Sequence, residues 1–369
     1  MKIYYLANAR MPTERAHGIQ IAKMCEALLA AGADITLVVP ARGKKQLLQE
    51  YYGLSREISL VRVPVFPYAL GFWIGSCSFM LSAFFFLFLK KLRGERFVVY
   101  TIDMDQFSFA LVPFLSVPYF VEIHDTKPQG FLFSLLFRRA LGILTINHII
   151  KKKLCELFGI SSEKILVSPN GIDVARFSLS PKANTGERRK IALSTGQFYD
   201  LKGLEIVPAT ARLLPDTQCI LVGGTRDEFM HLTGIRDIPD NLEFVGKRPY
   251  PEIPAWLARA DVLFVIGTKQ NEYSYYHTSP MKLFEYLPTL RPIVAAHTPA
   301  IADMVSDKEV FFYEPDSAAS FASAIQRALA DGSHAPQVSA ARSLAEKYSW
   351  KSRAEKVLSY LSQKRRGHR

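Results

Sequence analysis

Short apolar runs alternate with amphipathic segments along almost the whole chain. The first series of runs predicts strands at residues 2–7, 34–39, 58–63, 97–102, 118–122, 142–146 and 164–168. A second series predicts strands at 190–195, 217–222, 242–245, 261–266, 292–295 and 310–313. Apolar runs separated by helical patterns are typical of βαβ units with parallel strands. The pattern therefore predicts an α/β protein with two doubly wound domains.

A polar stretch separates the two series. Residues 178–189 contain proline, asparagine, glycine and three basic residues, which is typical of a linker. We expect a first domain over residues 1–180 and a second over 188–345. Two helical patterns close the chain, and residues 346–369 are predicted to return to the first domain. A length of 369 residues suits two such domains.

One segment of the first domain is unusually apolar. Residues 67–89 carry no charge, and four basic residues follow by position 96, a length that suits a membrane span. A span would, however, separate the strands at 58–63 and 97–102, which belong in one sheet. Three interpretations remain: a helix that dips into a membrane surface, which we favour, a buried helix, or a span. One helical face is predicted to pack on the sheet through its small residues, Gly71, Gly75, Ser78 and Ser82. The opposite face, with Phe72, Phe79, Phe86 and Leu89, is predicted to be exposed.

Charge narrows the possible partners. The formal net charge is +12, and residues 1–185 carry 22 Lys and Arg against 13 Asp and Glu, so most of the excess lies there. Such an excess attracts nucleic acid, anionic lipid or a phosphorylated substrate. Basic runs interleaved with aromatic residues are absent from the sequence, so we expect no nucleic-acid partner.

The cysteines bear on the cellular compartment. The four cysteines occur singly in apolar patterns, without a C-x-x-C pair, and are predicted to be buried thiols. The apolar run at the start of the chain is too short for a signal peptide and predicts a first strand. We therefore expect a cytoplasmic protein, peripheral on the inner face of the cell membrane through residues 67–96.

Two segments of the second domain carry candidate chemistry. Gly196 follows the first strand, and such a turn lets the backbone approach a phosphate, with Lys202 as a nearby cation. A helix is predicted to begin with Ser279 as its N-cap and Pro280 as its first residue, and its free amides attract anions. Glu285, inside that helix, can accept hydrogen bonds from a ribose diol. The alternative is an ordinary capped amphipathic helix with a surface glutamate.

Together these segments resemble a family 4 glycosyltransferase of the GT-B fold, over nearly the whole chain. The segments that carry the resemblance are residues 16–20 (AHGIQ), 121–125 (VEIHD), 168–173 (SPNGID), 194–203, 222–224 (VGG), 244–246 (FVG), 260–262 (ADV) and 279–285 (SPMKLFE). The resemblance implies two Rossmann-like domains that face each other across a cleft.

The resemblance also implies roles for individual residues. Lys202 and the backbone of 279–282 would hold the donor diphosphate, Glu285 the ribose, and the region of Gly246 the base. Gly18 would approach donor and acceptor, and His124 would lie near the transferred sugar. The catalytic candidates are His124, Lys202 and Glu285. The donor-binding candidates are Gly18, Gly196, Gln197, Lys202, Gly246, Lys247, Ser279, Met281, Lys282 and Glu285.

Three positions depart from the family pattern. Gln197 replaces an arginine of the diphosphate site, His277 replaces the first glutamate of a glutamate pair, and Leu290 replaces a glycine. We expect Lys282 to restore part of the lost positive charge. These changes leave the identity of the sugar open.

The resemblance implies retaining transfer of a sugar from a nucleotide-diphosphate sugar, with neither a metal nor another cofactor. The surplus positive charge of the first domain and its apolar segment up to residue 89 suggest that this domain binds a lipid-linked or polysaccharide acceptor. Asp103 and Asp105 have the spacing of a metal-nucleotide site, but a helix cap at Asp105 is the preferred interpretation. Two alternatives stay open: a nucleotide-sugar epimerase on the same scaffold, and a non-catalytic, membrane-surface subunit that binds nucleotide sugars. Gln197 and His277 keep the second alternative open.

Overall fold

The computed structural model describes residues 1–42, 46–103, 109–180, 189–199 and 203–367. The chain forms two compact units: unit 1 comprises Met1–Pro169 with Trp350–Arg369, and unit 2 comprises Asn170–Ser349. The chain thus passes from unit 1 to unit 2 after residue 169, before the predicted boundary at 180. It returns to unit 1 at residue 350 instead of 346. The reason is that Ile172 and Phe177 are fully buried in the unit 2 core, and the Ile172 amide donates to the Tyr348 carbonyl at 2.9 Å. Part of the predicted linker, residues 181–188, lies outside the described residues.

Unit 1 contains a seven-stranded parallel sheet. Its strands are β1 (Lys2–Leu6), β2 (Asp34–Pro40), β3 (Ser59–Val63), β4 (Val98–Ile102), β5 (Tyr119–Ile123), β6 (Gly142–Thr145) and β7 (Ile165–Val167). Their order is β3-β2-β1-β4-β5-β6-β7. β1, β4 and β5 are almost wholly buried, as expected for a parallel sheet covered on both faces. All seven strands predicted for this half are observed.

Within the described residues, helices lie between the strands of unit 1. They are α1 (Ala16–Ala30), α2 (Leu48–Tyr52), α3 (Phe72–Leu92), α4 (Phe131–Arg139) and α5 (His148–Phe158). The start of α5 is fixed by the Asn147 side chain, which accepts a hydrogen bond from the Ile150 amide. Its end is fixed by Gly159, whose φ of +61° an L-residue rarely adopts.

The helix α3 is apolar on two opposite faces. Gly75, Phe79 and Leu87 are buried on the inner face, whereas Leu81 and Phe85 are about half exposed on the outer one. The predicted division of the helix was therefore wrong for Phe79, which lies in the core, for Phe86, which is partly buried against that core, and for Gly71, which is exposed. The misassignment arose because the small residues at 78 and 82 flank the inner face; the Ser82 hydroxyl donates to the Pro64 carbonyl at 2.7 Å.

Length and composition would allow α3 to cross a membrane, and 33% of its most apolar window is buried. No other helix in the described ranges meets this criterion. The strands on either side of it, β3 and β4, belong to one parallel sheet. In the folded unit α3 is therefore the crossover helix of a βαβ connection.

Unit 2 contains a six-stranded parallel sheet. Its strands are β8 (Lys190–Thr195), β9 (Thr217–Val222), β10 (Leu242–Gly246), β11 (Val262–Val265), β12 (Ile293–Ala296) and β13 (Phe311–Tyr313). Their order is β10-β9-β8-β11-β12-β13. All six strands predicted for this half are observed. Both units are thus Rossmann-like, as the sequence predicted.

The helices of unit 2 cover this sheet and contribute to one continuous core. They are α6 (Val174–Phe177), α7 (Ile206–Arg212), α8 (Arg226–Thr233), α9 (Ile253–Arg259), α10 (Met281–Tyr286), α11 (Pro299–Ala302), α12 (Ala318–Asp331) and α13 (Pro336–Lys347). The start of α8 is a complete capping box, in which Thr225 and Glu228 each bind the other's backbone amide.

The last helix, α14 (Trp350–Arg366), belongs to unit 1, where it packs on α1. The Tyr360 hydroxyl donates to the Lys164 carbonyl at 2.6 Å. A Cβ at Gly142 would lie 2.3 Å from that hydroxyl, so this position of β6 requires glycine.

All four cysteines are free thiols. Cys25 and Cys219 are buried, Cys155 is partly buried and Cys77 is exposed. The prediction of a buried thiol was therefore wrong for Cys77, because it lies on the outer face of α3.

Candidate functional site

The candidate site of unit 2 lies at the carboxyl end of β8. This strand pairs with β9 on one side and β11 on the other. The strands that follow β8 in sequence are thus added first on one side of it (β9, β10) and then on the other (β11, β12, β13), so the strand order changes direction at β8. In open parallel sheets the crevice outside the carboxyl ends of the strands, at such a reversal, is the usual place for a ligand.

Glycines allow the loops after β8 and β9 to pack tightly. Gly196 has a φ of +117°, and a Cβ there would lie 3.1 Å from Lys282 Cε. Gly223 has a φ of +135°, and a Cβ there would lie 2.3 Å from the Gly196 carbonyl oxygen. Both positions therefore require glycine for conformation and for space. The result is a backbone turn into which Lys282 can reach.

Lys282 connects α10 to this turn. Its Nζ donates to Ser194 Oγ at 3.0 Å. A small cavity brings together three of the predicted residues, Gly196, Gln197 and Lys282, with lining from Ser194, Thr195, Phe198, Leu204, Leu221 and Ile266. A lysine ammonium here supplies positive charge beside glycine backbone, the combination that phosphate sites use.

The start of α10 differs in detail from the prediction. The helix begins at Met281 with Pro280 at the N-cap, and no side chain caps it. Ser279 is therefore not the N-cap, because its polar atoms are used elsewhere. Its Oγ accepts the Asn170 amide at 3.4 Å, and its carbonyl accepts Asn170 Nδ2 at 2.8 Å. The first amides of a helix lack partners within it, so the start of α10, including Met281, still offers donors to an anion.

A second contact joins α10 to β8. The Tyr286 hydroxyl is fully buried and accepts the Thr195 amide at 2.7 Å, with Thr195 Oγ1 at 3.0 Å. This bond fixes the end of β8, and with it the Gly196 turn, against the helix. Neither Tyr286 nor Asn170 was predicted as a site residue, although Asn170 lies in the 168–173 segment quoted for the resemblance.

Glu285 is buried and not on the surface, which contradicts the alternative interpretation of α10 as a helix with a surface glutamate. Burial raises the pKa of Glu285 to about 7, although Lys282 and Tyr250 act in the opposite direction. The Tyr250 hydroxyl faces this carboxyl but does not reach full hydrogen-bonding geometry with a described residue. A buried carboxyl with this pKa gains from any partner that donates hydrogen bonds to its ionised form.

The remaining residues that were predicted to bind the nucleotide-sugar donor have the following contacts. The Gln197 side chain accepts the Tyr199 hydroxyl at 2.5 Å. Gly246 ends β10 with a φ of +79°, and its amide donates to the Gly224 carbonyl, so it lies beside the Gly223–Gly224 turn. Lys247 Nζ is exposed and pairs with Glu228 at 2.7 Å. Lys202 lies outside the described residues, and its role stays a prediction.

The departures from the family pattern also have a structural context. His277 is 3% exposed at the end of a π-helical turn, Tyr273–His277, with Nε2 3.9 Å from a Glu272 carboxyl oxygen. Leu290 has a φ of +56°, a conformation that glycine adopts without strain.

A larger opening of about 560 Å3 lies beside the small cavity. Gly203, Thr268 and Asn271 contribute to its lining, together with the carboxylates of Glu205 and Asp316. Acidic side chains repel a diphosphate, so the smaller cavity at Lys282 is the better candidate for that group.

Unit 1 holds a second group of predicted residues. His124 follows β5 and is partly exposed, and its Nε2 lies 2.7 Å from Glu122 Oε1. His17, at the start of α1, lies close enough to His124 for the two rings to interact electrostatically. Burial, together with the nearby Arg15 and His124, lowers the pKa of His17 to about 4. His17 is therefore neutral at pH 7.

The structure gives Gly18 a packing role. A Cβ there would lie 2.4 Å from the Tyr52 hydroxyl and 2.5 Å from Thr13 Cγ2. The same hydroxyl accepts the Thr13 amide at 2.7 Å. Packing inside unit 1 therefore explains the glycine without a ligand, and the predicted contact with donor and acceptor stays a prediction.

Of the two aspartates with the spacing of a metal-nucleotide site, Asp103 and Asp105, the structure describes Asp103. Asp103 is buried in an ion pair with Lys127. Asp105, the predicted helix cap, lies outside the described residues.

Comparisons with known proteins identify relatives of both halves. The family described as Glycosyltransferase Family 4 matches residues 18–176, and the family described as Glycosyl transferases group 1 matches residues 176–343. No curated protein matches the sequence significantly.

Solved structures match over nearly the full length. Sucrose-phosphate synthase of Thermosynechococcus elongatus is 16% identical, with 98% of each chain covered and a TM-score of 0.74. HepE of Anabaena, in complex with UDP and glucose, is 17% identical, with 98% of this chain and 100% of that chain covered and a TM-score of 0.71. The catalytic domain of starch synthase IV of Arabidopsis thaliana, bound to ADP and acarbose, is 13% identical, with 98% and 99% covered and a TM-score of 0.69. At these identities the matches show the fold alone.

Proposed function

The chain belongs to family 4 of the glycosyltransferases, enzymes of the GT-B fold, and on this premise we propose that it transfers a sugar from a nucleotide-diphosphate donor with retention and without a metal ion. The observation that carries the proposal is the meeting of Lys282, the Gly196 turn and the start of α10 at the carboxyl end of β8. The solved relatives HepE and starch synthase IV contain UDP and ADP, which supports a nucleotide donor.

The diphosphate is proposed to bind at this turn. The glycine backbone allows close approach, the Lys282 ammonium supplies charge, and the first amides of α10 supply directional donors. Lys282 replaces part of the charge lost through Gln197. Lys202 is retained as the second proposed cation.

Glu285 is proposed to bind the ribose diol of the donor. Its carboxyl is buried one position before the end of α10, in a site that disfavours the ionised form. Two hydroxyl donors would stabilise the carboxylate and replace the water that burial removed. Binding of the nucleotide is therefore proposed to ionise Glu285.

Transfer of the sugar requires stabilisation of the departing diphosphate above all. A lysine ammonium and helix amides can do electrostatically what a divalent cation does in other enzymes. No step of the proposed reaction needs a further cofactor. His124 remains the proposed unit 1 residue that acts on the sugar.

Donor binding tests this proposal directly. Thermal shift against uridine, guanosine and adenosine diphosphate sugars should show stabilisation by at least one donor, because a ligand that binds only the folded state raises its stability. Lys282→Ala should remove most of that shift. Lys269→Ala is the matched control, since Lys269 is a half-exposed lysine of unit 2 that pairs with Glu314. Equal shifts in the two variants would contradict the assignment of Lys282.

Turnover assays test the remaining statements. Activity should survive EDTA, and the product should keep the anomeric configuration of the donor by NMR. An epimerase would instead convert the donor in the absence of an acceptor. Loss of activity with EDTA, or inversion, would refute the corresponding statement.

We further propose a lipid-linked or saccharide acceptor and a cytoplasmic protein whose unit 1 contacts the inner face of the cell membrane. The outer face of α3 exposes a stripe of large apolar side chains at helical spacing, namely Ile74, Leu81, Phe85, Phe88 and Leu92. Arg93 and Arg96 follow directly and are exposed. An apolar helix face beside basic residues suits the surface of an anionic membrane.

Cosedimentation with vesicles of phosphatidylcholine and phosphatidylglycerol tests this contact. The wild-type protein should sediment with anionic vesicles, and the double variant Leu81→Ser, Phe85→Ser should bind at least about tenfold more weakly, because two large apolar side chains no longer insert. Leu47→Ser removes a leucine of unit 1 that lies outside α3 and is more exposed than Leu81, and it should change nothing. Wild-type protein that stays in the supernatant would refute the membrane contact.

A further inference from the structure

A fully buried carboxylate lies at the centre of unit 1. Glu122, on β5, is 0% exposed and receives hydrogen bonds from four side chains. Arg353 Nη2 lies 2.7 Å, Gln20 Nε2 3.0 Å and His124 Nε2 2.7 Å from its Oε1, and the Tyr100 hydroxyl donates to its Oε2. The four donors come from α14, α1, the loop after β5 and β4.

These contacts determine the charge of Glu122. Burial by itself would raise the pKa of this carboxyl, but Arg353, His124 and Tyr100 outweigh burial and lower it to about 2. Glu122 is therefore a carboxylate at neutral pH and can only accept hydrogen bonds.

Because the Glu122 carboxylate can only accept a hydrogen bond, it determines which nitrogen of the neutral His124 ring carries the hydrogen. Nε2 must carry the hydrogen to donate to Oε1, which leaves Nδ1 as the acceptor nitrogen. A carboxylate behind a histidine ring fixes both its tautomer and its orientation in this way.

Arg353 is the group that keeps this arrangement charged and in place. Its Nε donates to the Pro169 carbonyl at 2.8 Å and its Nη2 also lies 3.3 Å from the Ser168 carbonyl. Arg353 is itself only 4% exposed, so the guanidinium and Glu122 neutralise each other inside the unit. Without the arginine, a buried carboxylate would keep only neutral donors and the imidazole.

We propose that Arg353, acting through Glu122, is a positioning residue that fixes the tautomer and orientation of His124 so that Nδ1 is offered to a hydroxyl of the substrate. The inference rests on the proposed function, because that proposal assigns His124 to sugar transfer. It extends the functional residues to the last helix of the chain, where the sequence offered no motif.

The expected effect of losing Arg353 follows from the groups around His124. The titratable groups that face it or bind its neighbours are Glu122 on β5, Arg353 on α14, His17 on α1, Tyr100 and Asp103 on or after β4, and Lys127, which pairs with Asp103. Loss of Arg353 leaves Glu122 with the His124 ring and two neutral donors, Gln20 and Tyr100. The carboxylate then loses the guanidinium that holds it in place, so the His124 ring should no longer be fixed in one tautomer and orientation.

Three variants separate this role from simple anchoring of the helix. Arg353→Gln removes the charge, and Arg353→Lys retains it. Tyr360→Phe removes another hydrogen bond of α14, the one to the Lys164 carbonyl, without touching Glu122. Ring 15N NMR of His124 and the pH profile of kcat/KM are measured for each.

The expected results are specific. Arg353→Gln should move the ring 15N signals of His124 away from those of a single Nε2-protonated tautomer and lower kcat/KM across its pH profile by about tenfold, because the carboxylate behind the ring is no longer held in place. Arg353→Lys should largely restore both, and Tyr360→Phe should leave both unchanged. An Arg353→Gln protein with the wild-type ring signals and profile would overturn the proposal, as would equal effects of Tyr360→Phe.

A second variant covers the case in which Arg353→Gln does not fold. Tyr100→Phe removes one donor to Glu122 and should move the same signals in the same direction by less; unchanged signals in that variant would overturn the proposal. The NMR measurement does not depend on turnover. Full activity of His124→Ala would therefore refute the proposed role of His124 in transfer, while the effect of Arg353 on the ring would still be read out.

Discussion

Replacing Glu285 by glutamine isolates the effect of one buried carboxyl on unit 2. Burial raises the pKa of Glu285 from 4.5 to about 7 in the folded protein. Folding therefore favours the protonated form, and stability that is present below pH 4.5 is lost as the pH rises towards 7. Glutamine has nearly the same shape and no charge, so its contribution should not depend on pH.

The magnitude follows from the two pKa values. At about 1.4 kcal/mol per pKa unit, the full cost of ionising Glu285 in the folded state is about 3 kcal/mol. Between pH 5 and pH 8 the wild-type protein should lose roughly 2 to 3 kcal/mol through this group. Because the carboxyl is buried, solvent screening reduces this figure little.

Urea unfolding at pH 5 and pH 8 measures the effect as a difference between proteins. Glu285→Gln should be more stable than wild type at pH 8 by roughly 2 to 3 kcal/mol more than at pH 5. Glu243→Gln, at an exposed glutamate of β10, is the control and should follow wild type. The variant should also lose donor affinity, because an amide accepts fewer hydrogen bonds from a diol.

Two results would refute this reasoning. If wild type and Glu285→Gln change equally in stability between pH 5 and pH 8, the carboxyl does not carry the raised pKa. If donor affinity of the wild type does not increase as the pH rises through 7, nucleotide binding does not select the carboxylate.

Three further substitutions test the construction of unit 2. Gly223→Ala should cost more than about 2 kcal/mol in urea unfolding and abolish the donor-induced thermal shift, because its Cβ would lie 2.3 Å from the Gly196 carbonyl; a protein with normal donor binding would contradict this. Tyr286→Phe leaves the Thr195 amide without its 2.7 Å acceptor and should cost about 1 to 3 kcal/mol in the same assay, so an unchanged midpoint would count against that bond. Asn241 Nδ2 lies 2.8 to 2.9 Å from three backbone carbonyls, and Asn241→Ala should lower the free energy of unfolding by about 2 kcal/mol, whereas a neutral result would mean that water satisfies these carbonyls equally well.

The strands were predictable because each is a short apolar run between turn residues. β8, for example, is preceded by a polar stretch and followed by Gly196, and its boundaries agree with the prediction. The apolar content of α3 was equally clear, but its inner face was not. Every residue from 83 to 89 is apolar, so the pattern could not show that Leu87 is buried while Phe85 is half exposed.

Candidate residues could be named where a motif carries its own chemistry. The sequence named Gly196, Lys282 and Glu285; the structure brings Gly196 and Lys282 into one cavity and buries Glu285, while their phosphate and ribose contacts stay predictions. Tyr286, Asn170 and Ser194 were missed, since a buried tyrosine or a polar residue in a loop has no signature of its own. Ser279 was assigned to the wrong role, because a cap and a loop contact need the same residue type at the same position.

By itself the sequence determined the class of fold and the number and chain positions of the strands, because each of these depends on residues that are neighbours along the chain. It also indicated candidate segments for ligand binding, whose roles stay predictions. The tertiary structure decided which side chains meet. Glu122 and Arg353 are 231 residues apart, and Ser194 and Lys282 are 88 residues apart. A hydrogen bond or a raised pKa depends on such distances and on burial, which no local pattern contains. For the same reason the change of unit lies at residue 169: the core of unit 2 takes in Ile172 and Phe177, whereas composition alone indicated the polar stretch that follows.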